Sequence, residues 1–202
     1  MKKKVMTKDL RSGVYKHSEL VEMFGSKMAV KRSLEAGRIE KISRAFYSTP
    51  DIPSNRAFYS VIKKFYPSAV ISKRTILYHF KLTTDQPSAI DIDVNTDSKL
   101  RNGTDLINLY RTKKIFSTTS MEINSINLNC YTVERALFEV LYFEKKPGQL
   151  SSEVIHNYLS SYKYSPAKIH KIAQKFGKRG LELANFIQVV AGNKFRMVGT
   201  GK

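Results

Sequence analysis

The sequence predicts an α+β protein: an N-terminal winged helix-turn-helix, then a mixed α/β domain with a small sheet and a helical C-terminal end. Three observations carry this. Two short helix-period runs, each closed by a glycine, precede two short apolar-basic segments within residues 17–48. Apolar alternation then recurs at 89–94, 106–112 and 126–132. From residue 133 onward the apolar spacing is helical.

Taken in order, residues 7–16 read as a first short helix, interrupted by Gly13. In HSELVEMFGS, Ser18 reads as the N-cap, Leu20, Val21 and Phe24 share a face, and Gly25 ends the run. Ser26 caps the next helix, KMAVKRSLEA, which Gly37 stops. Val30 and Leu34, four apart, form its inward seam, leaving Met28, Lys31, Arg32 and Glu35 opposite. Helix, tight turn, helix is the pattern of a DNA-reading motif, whose second helix presents long polar side chains to a groove. Arg38 to Ser48 then alternates, with Ile39 and Ile42 apolar, a turn at Ser43-Arg44 and a return through Ala45-Phe46-Tyr47. That is a hairpin with a basic tip.

Pro50 to Pro53 marks the boundary between residues 1–50 and a second domain, 54–192, with 193–202 a flexible tail. Phe58, Val61, Ile62 and Phe65 give a helix that Pro67 ends, and residues 69–80 read as another. AIDIDV, LINLYRT and INLNCYT read as strands, the first two paired. Helices follow at 133–143, at 150–162 with Ser151 or Ser152 as cap, after Ser165-Pro166, and at 181–192.

Composition narrows the function. The chain carries 35 Lys+Arg against 17 Asp+Glu, a net charge of +18. The excess is polarised: residues 1–66 hold +9, residues 67–140 +1 and residues 141–202 +8. Two basic ends around a neutral middle point to a polyanion, because each neutralised phosphate releases a counterion. Cys130 is the sole cysteine, which excludes an intrachain disulfide and a Cys-rich zinc site; it reads as a small core residue. No apolar run follows the basic N-terminus and none is long enough to span a bilayer, so the expected location is cytoplasmic, with no membrane partner.

Catalytic patterns are weak. Asp91 and Asp93, two apart on a strand, have the spacing with which nucleotidyltransferases hold Mg²⁺. The Gly-Ser turn such enzymes need is missing, the space upstream reading FKLTTDQPS. The two aspartates therefore read as the solvent face of a strand whose inner face is Ile90, Ile92 and Val94. A metal-dependent nuclease would need Glu-x-Lys, and Glu122-Ile123-Asn124 lacks the lysine. Glu134-Arg135 reads as an ion pair at a helix start. His17, His79, His156 and His170 are scattered, and no phosphate-binding or nucleophile motif occurs. The expectation is no enzyme, no catalytic residue, no metal and no cofactor.

The binding residues expected are Ser26, Lys27, Met28, Lys31 and Arg32 on the recognition helix, with Arg32 suited to bidentate contact with guanine. Arg38, Lys41 and Arg44 on the wing contact phosphate, and Ser18 adds a helix N-terminal contact. Lys168, Lys171, Lys175 and Lys178, spaced three, four and three apart, form a helical stripe that Arg179 extends, opposite Ile169, Ile172, Ala173 and Phe176. The stripe reads as a second DNA surface or as a solvated amphipathic face. Tyr47 and Tyr59 would stack on bases if exposed, though core packing suits both.

With these residues in place, the chain resembles the AbiEi-like antitoxins and transcriptional regulators of type IV abortive-infection toxin–antitoxin systems. The likeness rests on SLEAGRIEKISRAFYSTP, a helix ending in a Gly turn, then a wing closing on an aromatic pair before a Pro-containing linker. The family's usual wing has Gly where Ala45 stands. AVISKRTILYHFKLT matches its next helix, LNCYTVERALFEVL its strand-then-helix element, and LSSEVIHNYLSSYKYSPAKIHKIAQKFGKRG its helical C-terminal end. The likeness covers roughly residues 15–190. It implies a repressor that binds inverted repeats in double-stranded DNA upstream of its own operon. It also implies a nucleotidyltransferase-like toxin encoded alongside, neutralised with or without a direct complex. A dimer and two successive monomers suit inverted repeats equally. The alternatives are a sequence-blind DNA or RNA binder, and a nuclease or transferase built on Asp91 and Asp93.

Overall fold

The computed structural model describes residues 10–101, 104–143 and 148–198. Among these the fold is α+β, with eight helices and two sheets. The N-terminal elements are β1 (Val14–Lys16), α1 (His17–Phe24), α2 (Lys27–Glu35), β2 (Glu40–Lys41) and β3 (Phe46–Ser48). The three strands form an antiparallel sheet in the order β1-β3-β2. A small core of Leu20, Val30, Ile39 and Tyr47 sits between helices and sheet, with Leu10, Tyr15, Val21, Phe24 and Leu34 packed around it.

Two expectations change here. Residues 14–16, read as the end of a helix, form β1, because Val14 to Lys16 pair with Phe46 to Ser48; residues 7–9 lie outside the described part. Ser18 is not an N-cap. The helix starts two residues earlier, at His17 with Lys16 in the cap position, and the Lys16 N–H donates to Glu19 Oε2 at 2.7 Å. The cap at Ser26 is as expected, its Oγ accepting from the Ala29 N–H at 3.1 Å. At the other end of α2, Gly37 N–H donates to Leu34 O and Arg38 N–H to Ser33 O, at 3.0 and 2.9 Å. This paired closure needs a left-handed residue, and Gly37 supplies it with φ +66°.

The larger part contains α3 (Ser54–Phe65), β4 (Val70–Ile71), α4 (Lys73–His79), β5 (Ile90–Asn95), β6 (Ile107–Thr112), β7 (Thr118–Ile123) and β8 (Ile126–Tyr131). Then come α5 (Val133–Phe143), α6 (Gln149–Ser161), α7 (Pro166–Gln174) and α8 (Gly177–Val198). The sheet order is β6-β5-β4-β8-β7. β5 runs parallel to β6 and β4 parallel to β8, while β4–β5 and β7–β8 are antiparallel. The expected pairing of the first two strands is present. The segment 69–80 divides, its first residues joining the centre of the sheet as β4 before α4 begins. β7 was not expected; its TTSMEI lacks an apolar alternation because its residues are mostly exposed.

In α6 neither Ser151 nor Ser152 is the cap. Gly148 holds that position, Ser151 is buried, and the Ser152 hydroxyl donates to Gly148 O at 3.1 Å. Ser165 does cap α7, with Pro166 at its first position. α8 starts four residues before the expected helix and continues past Gly192 to Val198. No helix among the described residues is long and apolar enough to cross a membrane.

The main core includes Val14 and Phe46 as well as residues of α3 to α8. The boundary near residue 50 is therefore crossed by packing. Phe46 and Phe65 rings lie 5.1 Å apart, and Lys64 Nζ donates to Val14 O at 2.7 Å.

Candidate nucleic-acid interface

α2 separates its two faces as the spacing requires. Val30 is buried and Leu34 half-buried, whereas Lys27, Met28, Lys31, Arg32 and Glu35 are exposed. Met28 is 58 % exposed, a large apolar side chain left in water beside three cations. Lys31 lies 3.8 Å from Glu35 in a solvent-exposed pair, an interaction worth about 0.3–0.5 kcal/mol that a phosphate readily displaces.

The β2–β3 hairpin follows directly. Ile42 N–H and Ser43 N–H both donate to Phe46 O, at 3.0 and 3.1 Å, and Ala45 N–H donates to Ser43 Oγ at 3.3 Å. The turn closes without a left-handed residue at Ala45, so alanine stands there without strain. Ile39 is buried and anchors the hairpin, while Arg38, Lys41 and Arg44 are exposed. Ser18 is exposed on the first turn of α1, and His17 N–H donates to Ala45 O at 2.9 Å, tying that turn to the hairpin. The N-terminal set of expected contact residues thus lies on three elements, α1, α2 and the β2–β3 hairpin. Tyr47 is buried, and the Tyr59 hydroxyl bonds His79 Nε2 at 2.7 Å, so neither is a free stacking platform.

The C-terminal stripe is corrected. Lys168 and Lys171 belong to α7 and Lys178 and Arg179 to α8, with the backbone turning between them at Gly177, φ +69°. The five cations stay exposed and Ile169, Ile172, Ala173 and Phe176 are buried. Two of the five are engaged: Lys168 Nζ donates to Glu134 Oε1 at 3.0 Å, and Arg179 lies over the Tyr142 ring at 5.1 Å. The spacing that suggested one stripe spans two helices, because periodicity carries no mark of a break at Lys175-Phe176.

The aspartates of β5 are also corrected. Asp91 is 4 % and Asp93 1 % exposed, so they do not form a solvent face. Asp91 Oδ1 accepts from Asn108 Nδ2 and the Tyr110 hydroxyl at 3.0 and 3.3 Å, and its Oδ2 accepts from Arg74 N–H at 3.2 Å. Asp93 Oδ1 accepts from Ser72 Oγ and Lys73 Nζ, and its Oδ2 from the Tyr131 hydroxyl, each at 2.8 Å. All four oxygens thus serve protein donors. Lys73, at φ +47°, is held in this strained conformation by Asp93 and by the Tyr110 ring 4.0 Å beneath its ammonium.

Glu134 and Arg135 do not pair with each other. Arg135, 1 % exposed, lies over the rings of Phe116, Tyr131 and Phe176 at 4.6–4.9 Å and meets Glu139 at 3.4 Å. Burial raises the Glu139 carboxyl above its usual range, against the lowering pull of Arg135 and Lys73. A cavity of ≈ 450 Å³ lies beside this cluster, with Lys73, Asn108, Tyr110, Glu139 and Phe143 in its wall. Cys130 is buried, which pushes its thiol up to about 11. Among the described residues no three His, Cys, Asp or Glu side chains are grouped to hold a metal ion.

The crystal structure of the RV2827C protein from Mycobacterium tuberculosis is similar to this fold. The likeness covers 90 % of this chain and 73 % of that one, with a TM-score of 0.63 and 11 % identity. At that identity it is a likeness of fold. No family model and no curated protein matches the chain.

Sequence reasoning passed over Lys16, Lys99, Arg101 and Arg111. Lys99, Arg101 and Arg111 lie in the neutral stretch and Lys16 in the basic N-terminal part; only the tertiary fold joins them, so no spacing marks them.

Proposed function

We propose that this chain is a sequence-specific DNA-binding repressor, acting as the antitoxin of a type IV, AbiE-like system and regulating its own operon. In this reading residues 14–48, with the segment before them, work as a winged helix. α2 enters the major groove, Lys27, Lys31 and Arg32 meet base edges and phosphates, and Arg38, Lys41 and Arg44 hold the backbone. The observation that carries the reading is α2 itself: capped at both ends, seated by Val30, and presenting three cations and Met28 to solvent beside a hairpin with three more. A basic outer face on the second helix, beside a basic hairpin, supports base reading over a merely solvated face.

The antitoxin role rests on the sequence resemblance. The partners are operator DNA, with inverted repeats, and a nucleotidyltransferase-like toxin. The proposed activity is binding, located in the cytoplasm. A promoter fusion tests the repressor role: the chain supplied in trans should silence a reporter driven by its own upstream DNA, and Arg32→Ala should release it. Unchanged reporter output with the wild-type chain would refute autoregulation. The sequence-blind alternative is favoured by the net charge of +18 alone and is separated by the comparison that closes the Discussion.

A further inference from the structure

A second basic surface lies where the N-terminal elements meet the rest of the chain. A groove of ≈ 640 Å³ is bounded by the start of α1, the β2–β3 turn, the end of α3 and the loop after β5. Lys16, Arg44, Lys99 and Arg101 line it, with His17, over a floor that includes Phe65 and Leu100; among the described residues no carboxylate lines it. All four cations are exposed, and among the described residues none is in an ion pair.

The loop that carries Lys99 and Arg101 is built to hold its shape. The Arg111 guanidinium, on β6, donates to Thr96 O at 3.5 Å, to Ser98 O, and to Leu100 O at 2.5 Å. Ser98 N–H closes on Asn95 O at 2.9 Å, and the Tyr66 hydroxyl donates to Arg101 O at 3.3 Å. The exposed Arg111 guanidinium thus fixes three carbonyls, and Lys99 and Arg101 stand at the rim. Like charges gathered without a counter-charge repel one another, and a low-dielectric floor concentrates their field. Such an arrangement is stabilised by a ligand that brings several negative charges in a row.

We propose that this groove seats the sugar–phosphate backbone flanking the duplex segment read by α2, with Lys99 and Arg101 of the larger part closing on it opposite Lys16 and Arg44. The inference rests on the DNA-binding reading above and extends it. Arg44 belongs to both surfaces, so a backbone that passes the hairpin turn runs directly into the groove. The contacts are to phosphate and carry no base information.

The test compares the wild-type chain, Lys99→Ala/Arg101→Ala and Arg32→Ala. The probes are a duplex from immediately upstream of the chain's own coding sequence and a scrambled duplex of equal length, titrated over a range of salt. The double variant should bind both duplexes more weakly by the same factor, and its slope of log affinity against log salt should drop by about 2. Lys99→Arg/Arg101→Lys should restore both. Inorganic phosphate at constant ionic strength should leave binding unchanged; selective displacement by it would mean a small-anion site and overturn the proposal. Wild-type affinity and slope in the double variant, with operator preference still lost in Arg32→Ala, would overturn the groove and leave the repressor reading standing. A wild-type chain that binds neither duplex would sink both.

Discussion

The Asp91 carboxylate caps a helix to which it does not belong: its Oδ2 accepts the Arg74 N–H at 3.2 Å, at the start of α4. The residue in the ordinary cap position, Ser72, turns its hydroxyl away to Asp93 Oδ1 at 2.8 Å. A single carboxylate on β5 therefore does the work that a local Ser or Asp does elsewhere. It also welds β5 to α4 across the sheet.

Removing that carboxylate should cost more than a cap. Asp91→Ala strands the Arg74 N–H and removes the shared acceptor of the exposed Asn108 amide and Tyr110 hydroxyl, which turn to water, so the expected loss is about 2–3 kcal/mol. Urea unfolding checks it, with exposed Glu122→Ala as the control expected within about 0.5 kcal/mol. A loss no larger than the control's would show that Asp91 is not structural and would favour a catalytic use.

The pH dependence of stability should carry the mark of Glu139. Burial raises its native pKa, so between the ordinary carboxylate value and that raised value the folded protein keeps a proton the unfolded chain has released. Stability falls as pH rises through this window, and the whole penalty is present above it. Glu139→Gln, which cannot ionise, should lack this fall. Urea midpoints of the two proteins measured from about pH 4 to 8 should converge or cross towards low pH. Parallel curves would mean that Glu139 titrates as it does in the unfolded chain.

Gly180 marks the tightest approach in the helical end. A Cβ there would collide with the Ala173 carbonyl oxygen and come within 2.7 Å of Phe176 Cβ. Gly180→Ala should therefore lower stability by about 1–3 kcal/mol despite alanine's better helix propensity. A melting temperature that rises would contradict the close crossing of α7 and α8.

The elements that could be read in advance are those fixed locally. α2 has its cap, its apolar pair and its Gly37 stop all within a dozen residues, and it forms between the expected bounds. β1 and β4, three and two residues long, are too short to show a period; pairing with β3 and β5 makes them strands. Asp91 and Asp93 misled because alternation marks solvent only on a one-sided sheet. Here Ser72, Lys73, Asn108, Tyr110 and Tyr131 cover that face, from three other places in the chain. The groove residues Lys99 and Arg101 gain meaning only from the Arg111 clamp and the hairpin turn across from them. The exposed basic face of α2 was legible, and the basic groove beside the hairpin turn was not.

The roles assigned to two cations separate by specificity. Arg32→Ala should weaken binding to the operator by about 1–3 kcal/mol and scarcely affect a scrambled duplex. Lys171→Ala, on α7 and far along the chain from the hairpin, should weaken both by the same smaller factor if the C-terminal cations touch phosphate. Equal losses on both probes for Arg32 would remove it from base readout.

The most direct measurement is a band-shift titration of the wild-type chain on its own upstream duplex and on a scrambled duplex, at two salt concentrations. The account expects a preference of about a hundredfold or more that survives the higher salt, as base readout does. Equal affinities that collapse together as salt rises would contradict it, leaving only the attraction of a +18 chain for any polyanion.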